Sequence, residues 1–331
     1  MKKVGLVMRK IQFGEAQGPR VWADRLKQIG HEIGVDIVFI SPERHVSSTE
    51  VLPGYEFEKS DLVNYDIVLD KIRSEKIEHV IYTVAGFSFL KLFIPNAVLF
   101  PHSFPDPELA NSEMMTPFYQ MVEKAIVQTE FLKERIVKFG VNDVTVIPIG
   151  VEDELAMKHY DPNKIVPNRV VWIGRDESNR RPDLVVDYAR QNPQVEIYMV
   201  FGGLRYRESM KRFSLPSNLH LRFGLSRDEV FELMNTSKVY WSCSRFDTFA
   251  MPLAEALSMG KLIVKPEHPC YRHISSRHVY AGNEENWFDL LNMALAHPLQ
   301  VSDENRQYAF DHFSTVKMKE GYRDFFAKWL K

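Results

Sequence analysis

The sequence predicts an α/β protein built as two doubly wound domains, each a parallel sheet covered by helices. Three observations carry this. The chain has 331 residues, room for two domains of about 150 residues each. Short apolar runs alternate along it with amphipathic stretches of helical period, the pattern of parallel strands joined by right-handed helical crossovers. Its composition, 45% hydrophobic and 26% charged, is that of an ordinary globular chain able to bury two cores.

Val4 to Met8 reads as the first strand. After the irregular RKIQFGEAQGP, an amphipathic helix begins at Arg20 and ends at Gly30, and Val35 to Ile40 is the parallel second strand. Glycine in the first such loop lets backbone approach a ligand, which singles out Gly14. The polar text from Ser41 to Ser60 has no periodicity and reads as a surface excursion. A helix near Tyr65 to Glu75, a strand at His79 to Thr83, a helical or turn segment at Phe87 to Phe93 and a strand at Ala97 to Phe100 follow. His102 then lies just past the carboxyl end of a parallel strand, where α/β sheets place their ligands. Ser112 to Lys138 reads as two helices. Between Gly150 and Asn168 acids, Lys158 and two prolines interrupt the apolar pattern, and the domain boundary falls there: residues 1–155, then 156–315.

The second half opens with RVVWIG, a buried strand, then a loop with Arg175, Arg180 and Arg181, then a helix from Pro182. VEIYMVFGG is a strand ending in Gly202 and Gly203, RYRESMKRF a charged helix, Arg227 to Met234 another helix, and KVYWSCS a strand. Ser242 to Val264, SCSRFDTFAMPLAEALSMGKLIV, is a strand end, a tight loop, a short helix and the next strand. Pro252 suits the first helical position and Gly260 the residue past the end. The free N–H groups of that helix face the loop carrying Asp247 and favour an anion. Asp247 and Glu255 lie eight residues apart across this junction. A loop carboxylate, a helix-borne carboxylate and a helix N-terminus suit a sugar joined to a diphosphate and a ribose, that is, a nucleotide sugar. Two guanidiniums in the loop before Pro182 suit the diphosphate, because each can donate bidentate hydrogen bonds to phosphate oxygens. The simpler alternatives are a turn residue for Asp247, a helix-stabilising acid for Glu255 and surface ion pairs for the arginines.

This stretch resembles the signature of the family 4 glycosyltransferases of GT-B fold, S-x-x-E-G-F-G-x-P-x-x-E-A-x-x-x-G. Ser244, Asp247, Phe249, Pro252, Glu255, Ala256 and Gly260 fall on it; Asp247 replaces the first Glu, and Thr248 and Ala250 replace the two glycines. Gly174, Arg175 and Arg180 match the family's G-R-x-x-x-x-K-G with Arg in place of Lys, and KAIVQTEFLKERIVKFGVNDVTVIPIGVED resembles the segment that closes its first domain. The resemblance implies two Rossmann-like domains facing a central cleft, with a last helix of about 316–331 packing back on the first; Thr315 reads as its cap. It implies a retaining glycosyltransferase using a nucleoside-diphosphate sugar, most simply a UDP-hexose. Asp247 would then touch the transferred sugar and Glu255 the ribose diol. Arg175 and Arg180 would stabilise the departing diphosphate, with His102 near the sugar. Gly14, Gly174, Gly202, Gly224, Leu225, Ser244, Thr248, Phe249, Ala250 and Met251 would line the donor. The donor is a co-substrate, no other cofactor is implied, and with no D-x-D at a strand end no catalytic metal is expected. The shorter Asp247 and the bulk at Thr248 and Ala250 suit a pentose or deoxy-sugar as well. The competing functions are a nucleotide-sugar epimerase of the same fold and a non-catalytic partner subunit.

A formal charge of −2 argues against a surface built for bulk nucleic acid or anionic membrane. Two cysteines, Cys243 and Cys270, are too few for a disulfide framework and point to a reducing compartment, the cytoplasm. Cys243 reads as a packed core residue, and His268, His273 and His278 with Cys270 lack the spacing of a zinc site. The opening MKKVGLVMRK is too short in apolar residues for a signal peptide, and no run approaches the roughly 18 residues of a membrane span. A saccharide, a lipid, a peptide, a small metabolite and DNA bearing a modified base all stand open as acceptors.

Overall fold

The structure, a computed structural model, describes residues 1–8, 18–41, 65–83, 85–101, 112–204 and 206–331. The chain divides into two compact units. One takes the first strand, Pro19–Ile147 and Gly321–Lys331; the other is essentially Pro148–Glu320.

The first unit holds strands β1 (Lys2–Val7), β2 (Val35–Ile40), β3 (His79–Tyr82), β4 (Asn96–Leu99), β5 (Lys124–Val127) and β6 (Asp143–Val146), all parallel, in the order β2-β1-β3-β4-β5-β6. Its helices are α1 (Gly18–Glu32), α2 (Tyr65–Ser74), α3 (Ser112–Gln120) and α4 (Glu130–Lys138), with a 3₁₀ segment at Ala85–Leu92. Val4, Leu6 and Val7 of β1 and Val80, Ile81 and Tyr82 of β3 are buried, as strands covered on both faces must be. The two helices expected over 112–138 are present, but β5 runs between them. Four residues, KAIV, are too few to show a period of two between helical stretches. Trp22 of α1 stacks on Phe100, ring centres 3.9 Å apart, and donates to the Tyr322 hydroxyl at 3.1 Å.

The second unit holds β7 (Val166–Gly174), β8 (Glu196–Phe201), β9 (Leu219–Phe223), β10 (Ser237–Trp241), β11 (Leu262–Pro266) and β12 (Val279–Gly282), again parallel, in the order β12-β11-β10-β7-β8-β9. Helices α5 (Asp153–His159), α6 (Pro182–Gln191), α7 (Tyr206–Ser209), α8 (Arg227–Thr236), α9 (Met251–Ser258), α10 (Trp287–Ala296), α11 (Asp303–Phe313) and α12 (Thr315–Trp329) complete the chain; α12 belongs to the first unit from Gly321. Val170, Trp172, Val186, Met199, Trp241, Val264 and Leu291 are among the core residues. The charged helix expected from RYRESMKRF is only the four-residue α7 and a 3₁₀ turn, Met210–Arg212. Among the described residues of that stretch Met210 is fully buried and Tyr206 and Phe213 are only partly buried against the core, little apolar cover for a longer helix. Ser314 Oγ, not Thr315, caps α12 by accepting from Lys317 N at 3.3 Å, while Thr315 Oγ1 donates to the Val151 carbonyl at 2.8 Å.

One consequence of the strand order positions the site. β7 lies between β10 and β8, so the crossover leaving β7 runs to one side and the crossover leaving β10 to the other. The two loops part at the carboxyl ends of adjacent strands, the switch point at which open α/β sheets hold ligands. No helix among the described residues is long and apolar enough to cross a membrane.

Candidate functional site

The loop leaving β7 begins at Gly174. A Cβ there would lie 2.6 Å from the Trp172 ring, so glycine is demanded by the indole packed beneath it. Arg175 is exposed, with Nη1 3.2 Å from Glu177. Arg180 and Arg181 part company. The Arg180 guanidinium reaches across to the β10 loop, where Nη1 donates to Ser244 Oγ at 3.0 Å and pairs with Asp247 Oδ2. Arg181 pairs with Asp183 at 2.8 Å and with Glu284. The separation follows from the backbone: Arg181 has φ 50° and ψ 51°, a left-handed residue where the 3₁₀ turn gives way to α6. Cys243 fastens the loop, its Sγ 3.3 Å from the carbonyls of both arginines. It is buried, and burial pushes its thiol well up, so it stays a packed, protonated donor.

The loop leaving β10 carries the acid. Burial pushes the Asp247 carboxyl up, but the Arg180 guanidinium and the N–H groups of Ala250 and Phe249 pull harder, and it sits below the usual carboxylate range. Its Oδ1 accepts from Phe249 N at 3.4 Å. Ala250 occupies a glycine position of the family signature and nonetheless has φ 58° and ψ 57°, a left-handed conformation that strains any residue with a Cβ. Phe249 is buried and stacks on His273, ring centres 5.3 Å apart, and its carbonyl takes a hydrogen bond from His273 Nε2 at 2.8 Å. Tyr271 donates to the Ser244 carbonyl at 2.7 Å. Gly260, with φ 66°, ends α9 by supplying the left-handed residue past its last turn.

Glu255, in α9, is almost fully buried and pairs with Arg227 of α8, which also holds Glu152. The Tyr240 hydroxyl is buried, its proton held by that burial, and lies within the field of Arg180, Asp247 and Glu255. Gly224 turns the chain with φ 63° just before the half-buried Leu225 and α8, whereas a Cβ at Gly202 would meet nothing within 4 Å. Thr248 and Met251 are half-buried on the Asp247 loop and at the start of α9. Gly14 and His102 lie outside the described residues. The other histidines disperse: His268 caps its own 3₁₀ turn, and His278 meets Ser302 Oγ at 2.7 Å. Among the described residues no group of three His, Cys, Asp or Glu side chains is arranged to hold a metal ion.

Sequence reasoning singled out Arg180, Ser244, Asp247 and Glu255 but not Arg227, Glu152, Tyr271 or a role for His273 in the loop. One signal was present. Ser226 and Glu229 form a capping box, legible as S-x-x-E, and it fixes Arg227 at the first position of α8.

Two six-stranded parallel α/β units are the architecture of the GT-B glycosyltransferases, and residues 161–291 match the family described as "Glycosyl transferases group 1". That stretch contains β7, β10, both loops and α9. The chain resembles the O-antigen biosynthesis glycosyltransferase WbnH of Escherichia coli, 23% identical over 239 residues, 66% of this chain and 69% of that protein. It also resembles a protein of Sulfolobus islandicus filamentous virus named as glycosyltransferase 63, 27% identical over 150 residues, 45% of this chain and only 51% of that protein. Among solved structures it is similar to sucrose-phosphate synthase from Thermosynechococcus elongatus, with a TM-score of 0.78 at 13% identity, covering 99% of this chain and 100% of that one. Anabaena HepE, in complex with UDP and glucose, has a TM-score of 0.73 at 12% identity over 99% of this chain and 100% of its own.

Proposed function

We propose that this protein is a retaining glycosyltransferase that takes a sugar from a nucleoside-diphosphate sugar, most simply a UDP-hexose. The observation that carries the proposal is the carboxylate of Asp247, held by Arg180 beside Ser244 where the loops of β7 and β10 part. Asp247 grips the hydroxyls of the transferred sugar, and Glu255 takes the ribose diol. As the bond from the anomeric carbon to the diphosphate oxygen breaks, negative charge gathers on the phosphate. The exposed arm of Arg175 and the N-terminus of α9 are the groups that meet it, with Arg180 acting through the Asp247 carboxylate it holds. The acceptor hydroxyl attacks from the face the diphosphate vacates, which retains the configuration. HepE, similar in fold, binds UDP and glucose, and the glycosyltransferase relatives favour transfer over epimerisation.

Incubation with UDP-glucose, UDP-galactose, UDP-N-acetylglucosamine, UDP-xylose and GDP-mannose, read as free nucleoside diphosphate, tests the reading. Steady release from at least one donor is expected. Asp247→Asn should lower that turnover by about 10²-fold while leaving the Kd for bare UDP within roughly threefold, a change of under about 1 kcal/mol. No release and no thermal shift with any donor would overturn the transferase in favour of a binding subunit.

A further inference from the structure

Glu255 is only 1% exposed, and a carboxylate that deep is costly unless a cation meets it. The cation against it is Arg227. Its Nη2 pairs with Glu255 Oε1 and lies 2.5 Å from Glu152 Oε2, while its Nε donates to the same Glu152 oxygen at 2.7 Å. Three anchors set that guanidinium. The capping box of Ser226 and Glu229 fixes the first turn of α8, Glu152 stands at the N-cap of α5, and the Arg227 guanidinium lies 5.2 Å from the Phe231 ring centre. Arg227 also comes two residues after Leu225, which with Gly224 is among the residues the resemblance places along the donor.

We propose that Arg227 is a positioning residue: it holds one oxygen of Glu255 so that the carboxylate plane, and with it the direction of the second oxygen, is set for the ribose diol. Glu152 holds the guanidinium at the required angle. This deepens the glycosyltransferase reading and rests on it. A guanidinium serves better than an ammonium because its planar fork engages two carboxylates in fixed directions, whereas a lysine acts as a point charge.

Calorimetric Kd values for UDP and for 2′,3′-dideoxy-UDP test it in the full chain. The wild type should prefer UDP by about tenfold or more, the scale of hydrogen bonds from a diol to a charged group. Arg227→Gln should cut that preference to within about twofold, as Glu255→Gln does, while changing the Kd for 2′,3′-dideoxy-UDP by less than roughly threefold, a change of under about 1 kcal/mol. Arg227→Lys, which keeps the charge and loses the fork, should fall between. An undiminished preference in Arg227→Gln, or equal weakening toward both nucleotides, overturns the positioning role. A wild type that binds the two nucleotides equally, or binds neither, refutes the ribose assignment beneath it, and that result is visible before any variant is measured.

Discussion

His273 shows at the residue scale how a side chain outside the signature governs the one inside it. It stacks on Phe249 and donates to the Phe249 carbonyl, two residues from Asp247. Burial holds its imidazole down at about 4, against the pull of that carbonyl, where an unhindered histidine titrates near 6.5. The unfolded chain therefore takes up the proton first. The stability tied to the neutral ring is complete above pH about 6.5 and is lost as pH falls toward 4, by up to about 3 kcal/mol. Urea melts between pH 7 and 4.5 should show this slope, and His273→Gln should flatten it; an unchanged slope would reject the assignment. The depressed carboxyl of Asp247 acts lower still, since its contribution disappears only below the ordinary aspartate range near 3.9. Asp247 and Glu255 were legible because their spacing is local to one loop and one helix, and Arg180 because it lies in the loop that follows its own strand and precedes Pro182. His273 and Arg227 were not, since each meets its partner across a crossover, 24 residues from Phe249 in one case and 28 from Glu255 in the other.

At the scale of the element, the turn into α9 places an alanine in the left-handed region, at the position where the signature it resembles has glycine. Ala250 is left-handed, which costs about 1–2 kcal/mol relative to a residue without a Cβ, and glycine would return about 0.5–1 kcal/mol of that as added freedom in the unfolded chain. Ala250→Gly is therefore expected to stabilise the protein by about 0.5–1 kcal/mol, read as a higher denaturant midpoint with an unchanged slope. A lower midpoint would mean that the methyl group contributes packing worth more than the strain. The elements were readable from the chain where apolar residues run continuously, as in β3, β7 and β10. They were less so where a four-residue strand falls between two helices, as β5 does, or where a charged stretch buries few apolar side chains, as around Met210. The cap of α12 shows the same limit: Ser314 and Thr315 are both residues that cap helices, and the Thr315 hydroxyl is engaged by the Val151 carbonyl, a contact the sequence does not show.

For the whole molecule, the two units draw on the chain unequally. The second is essentially the continuous stretch Pro148–Glu320, whereas the first needs Gly321–Lys331 in addition to its own sheet. Tyr322, Phe325, Phe326 and Leu330 are buried, and Tyr322 closes the hydrogen bond to Trp22. A chain stopped after Glu320 should lose amide protection in β1 and β3 while β7 and β10 keep theirs, a difference that hydrogen exchange resolves strand by strand. Equal loss in both sheets would show that the units do not fold separately. The two sheets were legible from the alternation of apolar runs and helices, while the expected breadth of the boundary, Gly150 to Asn168, reflects a segment with too few apolar residues to mark one point.

The bond between Trp22 and Tyr322 spans 300 residues, and during synthesis that separation becomes a delay. At about 5–20 residues per second a ribosome needs roughly 15 to 60 s to travel from one tryptophan to its tyrosine. Throughout that interval the nascent amino-terminal sheet lacks the aromatic cover of its last helix. The half of the protein that is translated earlier is therefore the half whose cover is made last, from Gly321–Lys331.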